Sequence, residues 1–203
     1  MNAQTANHHI RAEHADMAAL ESTMQSILRD SLDASQTIRN IASLFQGPST
    51  DSALVDLPSV IKDVLLQLEP KMHQHAINTH LSIDPAVRLV NGNRLQIRQV
   101  LRNLLTNAIE SMEHNCDWPK DLEVKVSGEG GMVLTEIADR GHGVSDCERV
   151  FDAFFTTKKK GTGMGLRICK IIIEAHAGRL WASARRDRGT VFAFSLPLAA
   201  DLA

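Results

Sequence analysis

Apolar positions in the first 46 residues recur with heptad spacing. Ile10, Met17, Met24, Ile38 and Phe45 share one seam position, with Ser31 its only polar member, and Leu20, Ile27, Ala34 and Ile41 share the other. Glu13 stands in the slot before Leu20, so the double seam holds from about Met17 onward. No glycine or proline interrupts this stretch. The pattern predicts a long amphipathic helix ending near Phe45, with a stripe that another helix or domain must cover. The heptad favours a second copy of the same helix, hence a homodimer. "FQGPSTDS" then breaks the chain. The resulting division is a helix over 1–46, a linker over 47–56, a globular domain over 57–198 and a tail over 199–203.

Beyond the break, "LPSVIKDVLLQLEPKMHQHA" carries Ile61, Val64, Leu65 and Leu68 at helical spacing, and "INTHLSI" alternates as a strand. "NRLQIRQVLRNLLTNAIESM" predicts a helix with Leu95, Val100, Leu101, Leu104, Leu105 and Ile109 on a broad apolar face. "DLEVKVSGEGGMVLTEIADRGHG" reads as two alternating strands around a glycine-rich turn. "GLRICKIIIEAH" reads as a helix from Gly165 to His176, and "RLWASARRDRGTVFAFSLP" as a closing hairpin that turns near Asp187–Gly189. Helices and strands mix without regular alternation, which predicts an α+β domain, a two-layer α/β sandwich with a mixed sheet.

Composition narrows the classes. Of 203 residues 43% are hydrophobic, enough for a core, and the formal net charge of −2 excludes wholesale attraction to nucleic acid or an anionic membrane. Cys116, Cys147 and Cys169 are odd in number and lack ligand or redox spacing, which points to a reducing compartment. No apolar run reaches membrane-spanning length, and the first residues lack a signal-peptide core. The expectation is a cytoplasmic protein with no membrane segment in this chain.

Three stretches carry candidate chemistry. Asn103 and Asn107 are four apart on a helix, so their amides share a face, either as solvated polar residues or as ligands for a hard cation held jointly by phosphates. "IADRGHGV" ends an apolar strand in Asp139, Gly141 and Gly143. That is either a plain turn or a carboxylate awaiting an exocyclic amine, with glycines that let a flat ring approach the backbone. "FTTKKKGTGMGLRI" gathers Lys158, Lys159 and Lys160 before Gly161, Gly163 and Gly165. The lysines precede the glycines, so this is no P-loop, and the glycine spacing fits no dinucleotide fingerprint. It suits a lid whose lysines reach a polyphosphate and which leads into a helix N-terminus.

In order, "QVLRNLLTNA", "DRGHG", "VFDAFFTTK" and "GTGMGL" resemble the N box, first glycine box, F box and second glycine box of sensor histidine kinases, in the ATPase superfamily shared with DNA gyrase, heat-shock chaperones and mismatch-repair proteins. "EAHAGRLWASARRDRGTVFAFSLP" is similar to the end of the same catalytic domain, and the lid is most like that of the nitrogen-regulation and oxygen-sensing kinases. The resemblance implies a Bergerat-type ATP-binding fold and ATP with Mg2+ as cofactors. It further implies that Asn107 is the metal ligand and that Asn103 faces metal and phosphates. Asp139 would bind the adenine amine, beside the backbone of Gly141 and Gly143, with Thr190 in support. Lys158, Gly161, Gly163 and Gly165 would form the lid. A response regulator receiver domain is the implied partner.

Hydrolysing members of that superfamily carry a glutamate where this chain has Asn103. An amide takes no proton, which favours phosphoryl transfer to a protein acceptor over hydrolysis. The family's histidine motif has no clear match. In "NHHIRAEHADM", His8, His9 and His14 are available, none is directly followed by an acidic residue, and His14, between Glu13 and Asp16, is the nearest imitation. Two further readings stay open: an ATP-binding dimeric regulatory or phosphotransfer module without its own acceptor histidine, and a serine kinase of the anti-sigma type, which the heptad helix disfavours.

Overall fold

The computed structural model describes residues 17, 19–28, 31, 53–87, 89–113, 118–156, 158 and 162–199. They divide into two units, Met1–Phe45 and Gln46–Ala203. In the first unit, residues 19–28 are helical, and the Thr23 hydroxyl donates to the Ala19 carbonyl at 2.7 Å. The seam residues Met17 and Met24 are exposed there, and Leu20 and Ile27 are half-buried. Ser31, the polar seam member, is helical and exposed, and the remaining positions of the heptad lie outside the described residues.

The second unit begins with strand β1 (Ala53–Asp56), within the stretch read as linker, and passes directly into helix α1 (Leu57–Gln74). The turn into α1 is dictated locally. The Asp56 carboxylate accepts from the Ser59 amide at 3.1 Å, and Pro58 occupies the first turn, where a missing N–H costs nothing. Strands β2 (Asn78–Ile83) and β3 (Leu89–Gly92) follow, and then helix α2 (Arg94–Met112). The Asn93 side chain caps α2 by accepting from the amides of Leu95 and Gln96 at 3.0 and 3.2 Å, an arrangement worth about 1 kcal/mol. Strands β4 (Asp121–Glu129) and β5 (Met132–Asp139) form the hairpin expected from the alternation, turning at Gly130–Gly131. Helix α3 (Gly165–Ala175) and strands β6 (Arg179–Ala184) and β7 (Thr190–Pro197) complete the unit.

The main sheet runs β2-β4-β5-β7-β6, with β2 and β4 parallel and every other pair antiparallel. It is therefore the expected mixed sheet, and β1 and β3 pair separately. Helix α2 lies at the centre of the helical layer, touching α1, α3 and β5. It buries Ile97, Val100, Leu101, Leu104, Leu105, Ala108, Ile109 and Met112. Leu95, expected on that face, is 64% exposed. At 3.6 residues per turn it lies about 40° beyond Ile109, just outside the edge of the buried arc. The β1–β3 pair escaped the sequence pattern because four residues are too few to establish an alternation.

His176 ends α3 as expected, and it also does something the sequence did not signal. Its Nε2 accepts from the Asn93 amide at 3.0 Å, while Nδ1 lies 2.7 Å from the Ile172 carbonyl. The tautomer protonated at Nδ1 satisfies both contacts, tying the end of α3 to the start of α2.

Candidate functional site

Strand β5 alternates, and Val133, Thr135, Ile137 and Asp139 all fall on its buried face. The period that buries three core residues therefore also buries a carboxylate, 1% exposed, at the strand's end. Asp139 Oδ1 accepts from the Gly141 amide at 2.8 Å and from Ser111 Oγ of α2 at 3.0 Å. The backbone amide of Thr190, the first residue of β7, supplies a third hydrogen bond. Thr190 thus supports the carboxylate through its main chain. Burial pushes the Asp139 carboxyl above its ordinary range, and these three donors only partly offset that. A Cβ on Gly141 would fall inside the Ser111 side chain, so only glycine permits this turn. Gly143 follows in the left-handed region with φ 78°.

On α2 the two asparagines face different neighbours. Asn103 Nδ2 donates to the Gly165 carbonyl at 3.4 Å and lies 3.6 Å from Cys169 Sγ, bracing α2 against the first turns of α3. Burial pushes the Cys169 thiol up to about 12, so it is an inert core group. Asn107 Oδ1 accepts from the Lys158 ammonium at 2.7 Å. Lys158 also pairs with Glu110 Oε2 at 2.5 Å, and Lys71 of α1 pairs with Glu110 Oε1 at 3.2 Å and Glu113 at 3.3 Å. Burial alone would raise the Glu110 carboxyl, but Lys158 and Lys71 outweigh it and hold it below its ordinary range.

Gly163 packs against Phe154. It lies at φ 66°, its carbonyl accepts from the Phe154 amide at 3.2 Å, and a Cβ there would collide with the Phe154 backbone. Phe154 itself adopts φ 66° and is 76% exposed. Gly165 opens α3, and no side chain caps that helix. Gly161 and His14 lie outside the described residues, as do Lys159, Lys160, His8, His9, His114 and Cys116.

Four residues near Asp139 and Lys158 were not singled out from sequence. Glu110 and Ser111 sit three and four residues after Asn107, so helical spacing alone placed them on the same face. Trp118 and Arg188 had no local signal. The Arg188 guanidinium stacks 3.6 Å over the Trp118 ring, and its Nε donates to the Gly141 carbonyl at 3.3 Å. Trp118 Nε1 donates to the Arg140 carbonyl at 2.9 Å. Together they hold the turn that follows Asp139 from outside.

This arrangement can recognise a ligand with an amine on a flat ring at one end and a polyphosphate at the other. Asp139 offers the acceptor and Gly141 the bare backbone, while Lys158 and the uncapped N-terminus of α3 offer positive potential. Asn107 already holds a cationic group on its amide oxygen, the behaviour required of a hard-metal ligand. Among the described residues, no three or more His, Cys, Asp and Glu come together as a metal site, so a metal here would rely on that amide and on the ligand's phosphates.

Residues 92–200 match the family described as "Histidine kinase-, DNA gyrase B-, and HSP90-like ATPase". The C4-dicarboxylate transport sensor protein DctS of Rhodobacter capsulatus is 35% identical over 81% of this chain and 25% of its own length. Sensor protein FixL of Bradyrhizobium diazoefficiens is 34% identical over 89% of this chain and 36% of its own. The chain thus spans about a quarter to a third of these curated relatives. Among solved structures, the catalytic domain of histidine kinase ThkA is 30% identical with a TM-score of 0.65, covering 73% of this chain and 97% of that one. ThkA in complex with response regulator protein TrrA, 22% identical with a TM-score of 0.71 over 98% of this chain and 56% of that one, bears on the fold alone.

Proposed function

Because the chain belongs to the histidine kinase-, DNA gyrase B- and HSP90-like ATPase family, we propose that it is the ATP-binding catalytic part of a two-component sensor histidine kinase. In this reading it transfers the γ-phosphoryl group of ATP to a histidine, from which a response regulator aspartate takes it. The observation that carries the reading is the buried Asp139 carboxylate, set against the Gly141 turn and bonded to Ser111, one helical turn along α2 from the Asn107 that holds Lys158.

Each residue then has a task. Asp139 accepts the adenine amine, and the backbone at Gly141 and Gly143 lies against the ring. Asn107 would hold Mg2+, and Asn103 braces the first turns of α3 against α2. Lys158, with the lid glycines Gly161, Gly163 and Gly165, faces the phosphates. Magnesium, when bound, neutralises phosphate charge and orients the γ-phosphoryl group. An imidazole nitrogen forms the P–N bond as the γ-phosphorus parts from its bridging oxygen, and ADP leaves. Hydrolysis is disfavoured because neither neighbouring polar residue is a useful base. Asn103 donates from its amide nitrogen to the Gly165 carbonyl, and Glu110 is engaged by Lys71.

The exposed Met17 and Met24 of the N-terminal helix support pairing with a second copy. The free Cys147 and Cys169 agree with a cytoplasmic setting, and no described helix is long and apolar enough to cross a membrane. A second reading, an ATP-binding dimeric module without its own acceptor, is favoured by one sequence fact: no histidine in residues 1–46 is directly followed by an acidic residue.

The test is incubation with γ-labelled ATP and Mg2+, followed by mass mapping. Acid-labile, base-stable label on His8, His9 or His14 is the outcome for a complete kinase. ATP binding without label selects the acceptor-less module, and absence of ATP binding refutes both.

A further inference from the structure

Glu110 belongs to none of the roles assigned above, yet it organises the phosphate end of the site. It lies on the α2 face that carries Asn107, one turn further on, and its two oxygens hold different lysines from different elements. Oε1 faces Lys71 of α1 at 3.2 Å, and Oε2 faces Lys158 at 2.5 Å. Lys158 makes its second contact, at 2.7 Å, with the Asn107 amide oxygen. That oxygen is the one the reading above gives to Mg2+, and both Glu110 oxygens are already engaged by lysines. A magnesium ion and an ammonium group repel one another and cannot share it.

We propose that Glu110 is a positioning residue that parks the Lys158 ammonium on Asn107, so that Mg2+ with ATP enters by displacing a cation built into the chain. The inference rests on the ATP-binding reading above and adds a step to it. With nucleotide absent, Glu110 and Asn107 share the lysine, and the asparagine oxygen is not left facing a carboxylate alone. When the metal takes the Asn107 oxygen, Lys158 is released toward the incoming phosphates, and Glu110 keeps Lys71 as its counter-ion. Lys71 also retains Glu113. Glu110 therefore keeps a counter-ion after the exchange, one it shares with Glu113, and at 31% exposure water screens the remaining charge.

The pair is partly exposed, with side-chain accessibilities of 44% for Lys158 and 31% for Glu110. Its grip is accordingly modest, and so is the expected effect. Glu110→Gln releases Lys158 in the free protein, and the affinity for Mg-ATP rises about two- to fivefold. The Mg2+ concentration that half-saturates binding at fixed ATP falls by the same factor. Glu110→Asp keeps the charge but falls a methylene short of Lys158, and it is expected to show the same gain.

The measurement is titration calorimetry of Mg-ATP on the full chain, as a cycle with Lys158→Met. In the Lys158→Met background, Glu110→Gln is expected to change nothing, because the lysine it restrains is gone. An unchanged or weaker affinity in both Glu110 variants, or a gain that persists in the Lys158→Met background, overturns the proposal. A wild-type chain that binds no Mg-ATP instead refutes the reading on which the proposal rests.

Discussion

Replacing Asp139 by asparagine separates the ligand's need for this carboxylate from the fold's tolerance of it. Three protein donors converge on it, from Gly141, Ser111 and Thr190. An asparagine fits the same space and can give its oxygen to those donors, but its –NH2 must then take the remaining position, where the adenine amine also presents a donor. A hydrogen bond to a charged acceptor worth about 1.5–3 kcal/mol is lost. At 1.4 kcal/mol per decade, that is a weakening of roughly tenfold to a hundredfold. Stability is expected to move the other way. The folded-state Asp139 carboxyl is raised above the ordinary 3.8. Its contribution to stability is therefore present at low pH and lost as pH rises through the raised value. At neutral pH the ionised group is a cost that asparagine removes. The assay is calorimetric titration with ATP and Mg2+, beside urea denaturation at pH 7 and at a pH below 3.8. Asp139→Asn should bind weakly, match or exceed wild-type stability at pH 7, and lose that advantage in acid. Unchanged nucleotide affinity, or a fold that collapses at neutral pH, would refute the reasoning.

Two other substitutions probe separate links. Asn107→Ala removes the metal-competent oxygen, so Mg-ATP affinity should fall by about 1.5–3 kcal/mol while metal-free ATP binding changes far less; calorimetry with and without Mg2+ reads the difference, and equal losses would count against metal binding at Asn107. His176→Leu deprives the Asn93 amide and the Ile172 carbonyl of their shared partner. It should cost about 1–3 kcal/mol, seen as a lower urea midpoint at unchanged slope. A wild-type midpoint would mean that water replaces the ring without loss.

Periodicity carried much of the fold. The 3.6-residue rhythm of α1, α2 and α3 and the alternation of β2, β4 and β5 are local properties of backbone geometry, legible wherever an element is long enough to repeat. The spacing of Asn103 and Asn107 and the strand-end placement of Asp139 were legible for the same reason. Leu95 was misplaced because a broad apolar face blurs which edge of the helix is inside. The four-residue strands β1 and β3 were too short to declare themselves. What tertiary structure alone decided is which distant groups meet. Asp139 and Ser111 are 28 positions apart, Lys158 and Asn107 51, and Arg188 and Gly141 47. No local rule relates residues so separated, because their meeting depends on how helices seat on a sheet once side chains are packed. Burial decided the rest. A carboxyl in a sequence has its ordinary pKa, and only the surrounding low-dielectric core and two well-placed lysines raise it at Asp139 and lower it at Glu110.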